Sequence, residues 1–209
     1  MSKGVASAAF IVLLSGPVLA EEWKLESEKD ALAIHSRVRA GTGLREFKAV
    51  GTVEAPPDVV FAVLDDSEAY PGFMPYTAES RVLNRQKNAV LVYQRLDLPF
   101  ISDRDYTLRT KNERWLSDAG PIYRIRWEPA NEQGPPPTKG VHRVHECEGG
   151  WLLEPQGDSA TRATYVIFTD SGGVIPPMLA NSGSRMAIRK IFDAVRKQVK
   201  QAKYTAAAN

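Results

Sequence analysis

The chain has 209 residues, 43% hydrophobic and 25% charged, with 27 basic and 25 acidic side chains and a formal net charge of +2. That is the composition of an ordinary globule able to bury a substantial core without metals or disulfides. A single cysteine, Cys147, excludes an internal disulfide.

Residues 1–20 read as a secretory signal peptide. Lys3 starts it, Val5 to Leu14 is apolar, Gly16 and Pro17 break the run, and small or apolar residues lead to Ala20. The run is well short of the roughly 20 residues that span a bilayer. Cleavage between Ala20 and Glu21 is expected, leaving one domain over residues 21–209. No cysteine lies nearby to carry a lipoprotein anchor. Export with one cysteine fits a periplasmic or secreted protein, and such a protein is not expected to meet nucleic acid.

From Trp23 to Glu54 the pattern is strand, turn, strand. Gly41 to Gly43 mark the turn, and Phe47, Ala49, Gly51 and Val53 alternate with polar neighbours. Pro56 and Pro57 then open a short helix with Asp58 in its first turn, and Val60, Phe61 and Leu64 share one face. An apolar bend broken by Pro71 and Pro75 follows.

About a hundred residues of strand come next. Tyr123, Ile125 and Trp127 alternate with Arg124, Arg126 and Glu128, and the pairs Trp151/Leu153 and Tyr165/Ile167 do the same. Hairpin turns fall at 85–88, 118–121 and 156–158, and residues 132–140 form a Pro/Gly-rich loop.

The last element is a helix from about Pro177 to Lys203. Ile188, Ile191, Phe192, Val195, Val199 and Ala202 lie within an arc of about 100°. Arg185, Arg189, Lys190, Arg196, Lys197, Lys200 and Lys203 stand beside that arc against Asp193 alone. The order predicts an α+β fold: one antiparallel sheet whose apolar face is covered by the C-terminal helix. A curved sheet capped this way is a container.

The segment "PFISDRDYTLR", residues 99–109, puts three charges inside a strand. Alternation gives Arg104, Tyr106 and Leu108 one face, which the last two mark as inward, with Asp103, Asp105 and Arg109 opposite. An inward arginine needs a partner, expected to be a carboxylate from another strand. It is either a clasp at the end of the sheet or a polar group offered to a ligand.

His142 falls on one strand face and His145 with Cys147 on the other, short of the three or four ligands a zinc ion needs. No metal, cofactor or catalytic residue is expected. No nucleophile elbow or phosphate loop is present. Asp65 and Asp66 read as the exposed end of the first helix. The aromatic residues Tyr123, Trp127, Trp151 and Tyr165 are either sheet core or cavity wall.

Four stretches, "APPDVVFAVLDDSEAYPGFMP" (55–75), "LPFISDRDYTLR" (98–109), "GGWLLEP" (149–155) and "DSGGVIPPMLAN" (170–181), come in one order and spacing. In them the chain resembles the START (steroidogenic acute regulatory protein-related lipid transfer) domains, short bacterial type, of the helix-grip superfamily. The resemblance covers about Trp23 to Lys203.

It implies a curved antiparallel sheet, short helices after the third strand, and a long C-terminal helix enclosing an apolar tunnel that binds one lipid without chemistry. It makes Arg104, Tyr106, Leu108, Tyr123, Ile125, Trp127, Trp151, Tyr165, Ile175, Met178, Ile188 and Phe192 the expected wall. Where some sterol-binding members carry a second arginine, six residues after the first, this chain has Thr110.

The basic helix adds an expectation of contact with an anionic membrane through Arg189, Arg196 and Lys200. The protein is expected to be a monomer. Two other readings stay open. One is an aromatase/cyclase of the same superfamily, which would need an acid or base converging in the cavity. The other is an interaction module with a solid core.

Overall fold

The computed structural model describes residues 22–172 and 177–205, with only the backbone path given for 177–180. The expected signal segment and Ile175 lie outside the described residues, as does the side chain of Met178.

The chain begins with β1 (Lys24–Lys29), β2 (Leu32–Val38) and β3 (Arg45–Val53), followed by α1 (Pro57–Asp65) and a 3-10 turn at Ser67–Gly72. The second run of strands is β4 (Thr77–Gln86), β5 (Ala89–Leu96), β6 (Arg104–Ser117), β7 (Gly120–Pro129), β8 (His142–Arg143), β9 (Glu146–Gln156) and β10 (Ala160–Asp170). Two helices, α2 (Pro177–Gln198) and α3 (Ala202–Thr205), end the described chain.

All ten strands join one sheet in the order β1-β2-β3-β10-β9-β7-β6-β5-β4, with the short β8 bridging parallel to β6. Every other pairing is antiparallel. The last strand, β10, pairs with β3, so the N-terminal hairpins extend the sheet formed by the second run. This is the helix-grip arrangement the sequence predicts.

Two element boundaries differ from the pattern read along the chain, although three strands before the first helix are what the START resemblance implies. The N-terminal region holds three strands, because a tight turn at Asp30 and Ala31 separates β1 from β2. Both residues have positive φ (53° and 51°) without a glycine, so the usual sequence signal for such a hairpin is missing. The C-terminal helix is not continuous to Lys203. Around its end the hydrogen bonds tighten to three-residue spacing, as in Lys200 N to Lys197 O, and the chain turns. Ala202 is therefore exposed, and Tyr204 takes the buried place, its hydroxyl donating to Asp66 at 2.8 Å.

Helix α2 lies close against β3. A Cβ added at Gly51 would come within 2.9 Å of the Phe192 ring and 3.0 Å of Leu32, so the glycine is what lets helix and strand approach. The inward alternation of β3 (Phe47, Ala49, Val53) meets Val60 and Val63 of α1, Phe192 and Val195 of α2, and Val199 just past its end in a continuous core. The C-terminal half of α2 grips solid protein. Beneath residues 183–191 the fold is hollow.

Candidate functional site: an internal cavity

The hollow has a volume of about 700 Å³. The inward face of β6 forms one wall, with Arg104, Tyr106, Leu108, Thr110 and Asn112 in succession. Neighbouring strands add Val90, Val92 and Gln94 from β5, Ile125 and Trp127 from β7, Cys147 and Trp151 from β9, and Tyr165 and Ile167 from β10. Ile188 and Ile191 of α2 close it from above, and residues 98–101 stand at one end. The middle is apolar because each strand sends its period-two apolar set to this face.

The polar groups of the wall are few, and most are engaged. The Tyr106 hydroxyl donates to Gln94 Oε1 at 2.9 Å, and Gln94 Nε2 donates to Ser80 Oγ at 3.2 Å. Thr110 donates to the Val90 carbonyl at 3.2 Å. Asn112 Nδ2 donates to Asp65 Oδ1 at 2.8 Å, while Arg85 holds the other oxygen of that carboxylate at 2.7 Å. Three buried atoms of wall residues have no hydrogen-bond partner: Arg104 Nε, Trp127 Nε1 and Asn112 Oδ1. Burial pushes the Cys147 thiol up to about 12 and the Tyr106 and Tyr165 phenols well above their ordinary range. These groups stay neutral at any physiological pH.

The charged triplet resolves into three separate arrangements. Asp103 pairs with Arg95 at the partly exposed strand end. Asp105, behind the sheet, is fully buried and takes a two-point contact from Arg143 of β8, at 2.7 and 2.9 Å, with the Tyr93 hydroxyl donating at 3.2 Å. Arg104 points into the hollow, is 4% exposed, and donates from Nη1 to the Ser102 carbonyl and hydroxyl.

The carboxylate partner expected for Arg104 is not found among the described residues. The strand that could have supplied one, β8, instead brings Arg143 to Asp105.

Of the residues expected in the wall, Arg104, Tyr106, Leu108, Ile125, Trp127, Trp151, Tyr165 and Ile188 all line the cavity. Tyr123 and Phe192 do not. Tyr123 stacks on Phe61 with ring centroids 4.7 Å apart, and Phe192 packs against Trp151 in the solid half.

The basic helix also differs from expectation. Arg189 donates to Ser27 Oγ at 2.7 Å, and Arg196 donates to the Thr52 and Ala31 carbonyls at 3.0 and 3.2 Å. Both arginines therefore fasten the helix to the sheet rather than project outward. Lys200 is exposed in the turn after α2, beyond the far end of the helix from Met186. Asp65 and Asp66 are not a free acid pair: Asp66 binds Lys203 and Tyr204, anchoring α3.

Sequence reasoning missed Gln94, Asn112, Cys147 and the rim. Extending the β6 alternation by one step past Thr110 finds Asn112. Phe100, Ile101 and Met186, exposed beside the hollow, have no periodic signal because two of them lie in a loop.

A curved antiparallel sheet gripping a C-terminal helix over an apolar cavity is the architecture of START-like helix-grip proteins. The chain belongs to the family described as polyketide cyclase/dehydrase and lipid transport, whose profile matches residues 53–196.

The START resemblance of the sequence agrees with this. A STAR-related lipid transfer protein of Xanthomonas axonopodis superposes with a TM-score of 0.78 at 27% identity, covering 87% of this chain and 100% of that one. The phosphatidylcholine transfer protein of Rattus norvegicus is 25% identical over 170 residues, 80% of this chain and 78% of that protein. An uncharacterised protein of Pseudomonas aeruginosa is 28% identical over 176 residues, 84% of this chain and 85% of that one.

Proposed function

We propose that this protein is an exported, non-enzymatic carrier that holds one lipid in the cavity, with its polar end beside Arg104, and exchanges it at a membrane surface. The observation that carries the reading is the cavity itself: about 700 Å³ of apolar-walled space under 183–191 of α2, beside a continuous packed core. Covering several hundred Å² of lipid there at roughly 25 cal/mol per Å² offers on the order of 10 kcal/mol before association costs. Such binding needs no covalent step.

The absence of an acid or base poised for chemistry supports the carrier over the cyclase reading. The wall's one carboxylate among the described residues, Asp65, is held by Arg85 and Asn112, and the buried phenols and thiol are pushed toward their neutral forms. The rim supports the membrane step. Phe100 is fully exposed and Met186 more than half exposed, beside the part of α2 that covers the hollow.

The test is mass spectrometry of an organic extract from protein purified without detergent. A stoichiometric lipid is the expected result. An empty extract from protein that also takes up no lipid from vesicles would overturn the carrier reading.

A further inference from the structure

We infer that the cargo is a single-chain amphiphile with an anionic head, a carboxylate or phosphate monoester, rather than a two-chain phospholipid. The inference rests on the carrier reading and goes further by naming the ligand class.

Charge is the first part of the case. Arg104 is 4% exposed, its Nε has no partner, and its Nη1 meets only neutral oxygens of Ser102. A lysine in such a place could lose its proton, but a guanidinium cannot. The other ionic groups of the wall are matched within the protein. Arg45 binds Glu26 at 2.9 Å, and Asp65 binds Arg85 at 2.7 Å. Arg104 is the wall's ionic group that has no counter-charge among the described residues, and it stands in an apolar enclosure, so a ligand anion is its natural complement.

Size is the second part. At roughly 30 Å³ per non-hydrogen atom of a liquid, 700 Å³ holds about two dozen such atoms, and a diacyl phospholipid has roughly twice as many.

Shape agrees. From Arg104 to Asn112 the wall runs eight residues of β6, about 26 Å at 3.3 Å per residue. Spread over that length, the volume has a mean cross-section near 30 Å². That suits one hydrocarbon chain, since carbons of adjacent groups keep about 4 Å apart. Arg104 sits at the strand end beside the 97–103 loop, so the head lies there and the tail runs past Leu108 toward Asn112.

The experiment is competition for a fluorescent fatty acid bound to the delipidated protein. The competitors are oleate, methyl oleate, oleoyl lysophosphatidate, cholesterol and dioleoylphosphatidylcholine. Oleate or lysophosphatidate should displace the probe roughly 10- to 100-fold better than methyl oleate, the range of one charge-assisted contact; which acid does so separates a carboxylate cargo from a phosphate one. Arg104→Gln should erase the difference between acid and ester, bringing oleate down to the level of methyl oleate.

Equal binding of acid and ester by the wild-type protein overturns the inference, as does displacement by phosphatidylcholine or cholesterol at the concentration at which oleate acts. Because acid and ester are compared on unmodified protein, the result does not depend on the variant folding. If the probe itself fails to bind and no competitor is taken up, the carrier reading falls with it.

Discussion

At the level of single residues, Arg104 and Asp105 are neighbours with opposite duties. Asp105 is 1% exposed and its partner Arg143 is 9% exposed, a pair sealed behind the sheet. Removing one member strands a buried charge. Asp105→Ala should therefore destabilise by roughly 3–5 kcal/mol in urea unfolding. Arg104→Leu leaves no carboxylate unpaired, so it should change stability by less than about 1 kcal/mol, or raise it, while weakening ligand binding. A large loss from Arg104→Leu would mean that Arg104 is a clasp after all. Alternation along β6 was enough to turn Arg104 inward and Asp105 outward. The Arg143 contact was not legible, because it arrives from a two-residue parallel bridge 38 positions later, too short to leave a period.

At the level of elements, α2 has two halves held in different ways. Its C-terminal part is fixed by burial: Phe192 and Val195 are both 1% exposed or less. The part over the cavity, 183–191, is fixed by polar contacts at both sides, Arg185 to Glu26 at 2.7 Å and Lys190 to the Tyr76 hydroxyl at 2.8 Å. Truncation should expose the difference. Phe192→Ala removes a packed ring and should cost about 3–5 kcal/mol, while Met186→Ala at the exposed rim should stay within about 0.5 kcal/mol. Comparable losses at both positions in thermal unfolding would argue against a helix half solid and half hollow beneath.

The Glu26 contact also carries a pH dependence. The Ser36 hydroxyl, with the guanidiniums of Arg185 and Arg45, holds the Glu26 carboxyl below the usual glutamate range despite partial burial. Its folded pKa is depressed, so its contribution is present above the ordinary glutamate pKa and lost as pH falls through the folded value. Amide exchange across 181–187 should be faster in Glu26→Gln than in wild type at neutral pH, with the two converging in acid. Identical exchange at neutral pH would remove Glu26 as a fastening.

The helical period found the apolar stripe of α2, and could not say which part covers a hollow. Wall and core residues have the same chemistry, so Ile188 and Phe192 look alike until the path of the sheet is known.

At the level of the whole molecule, the order of strands, helix, strands and helix was enough to predict the α+β container, since hairpin turns and a change of period are local signals. The depth of the hollow was not legible, because it depends on how ten strands curve together.

The rim brings the scales together. Phe100 is fully exposed and has φ +69°, a conformation a bulky residue adopts at a cost of about 1–3 kcal/mol. An exposed, strained phenylalanine contributes nothing to the isolated fold, which makes it a candidate for insertion among lipids next to the cavity. Phe100→Gly would relieve the strain, because glycine takes positive φ freely. Stability and equilibrium lipid binding should then be kept or slightly improved. Transfer between vesicles should slow by roughly tenfold or more, since burying one phenylalanine contributes about 1.5–3 kcal/mol to docking. Stopped-flow transfer of a fluorescent lipid measures this directly. If Phe100→Gly transfers as fast as wild type over a range of vesicle concentrations, lipid leaves without docking through this loop, and the membrane step must be sought elsewhere on the surface.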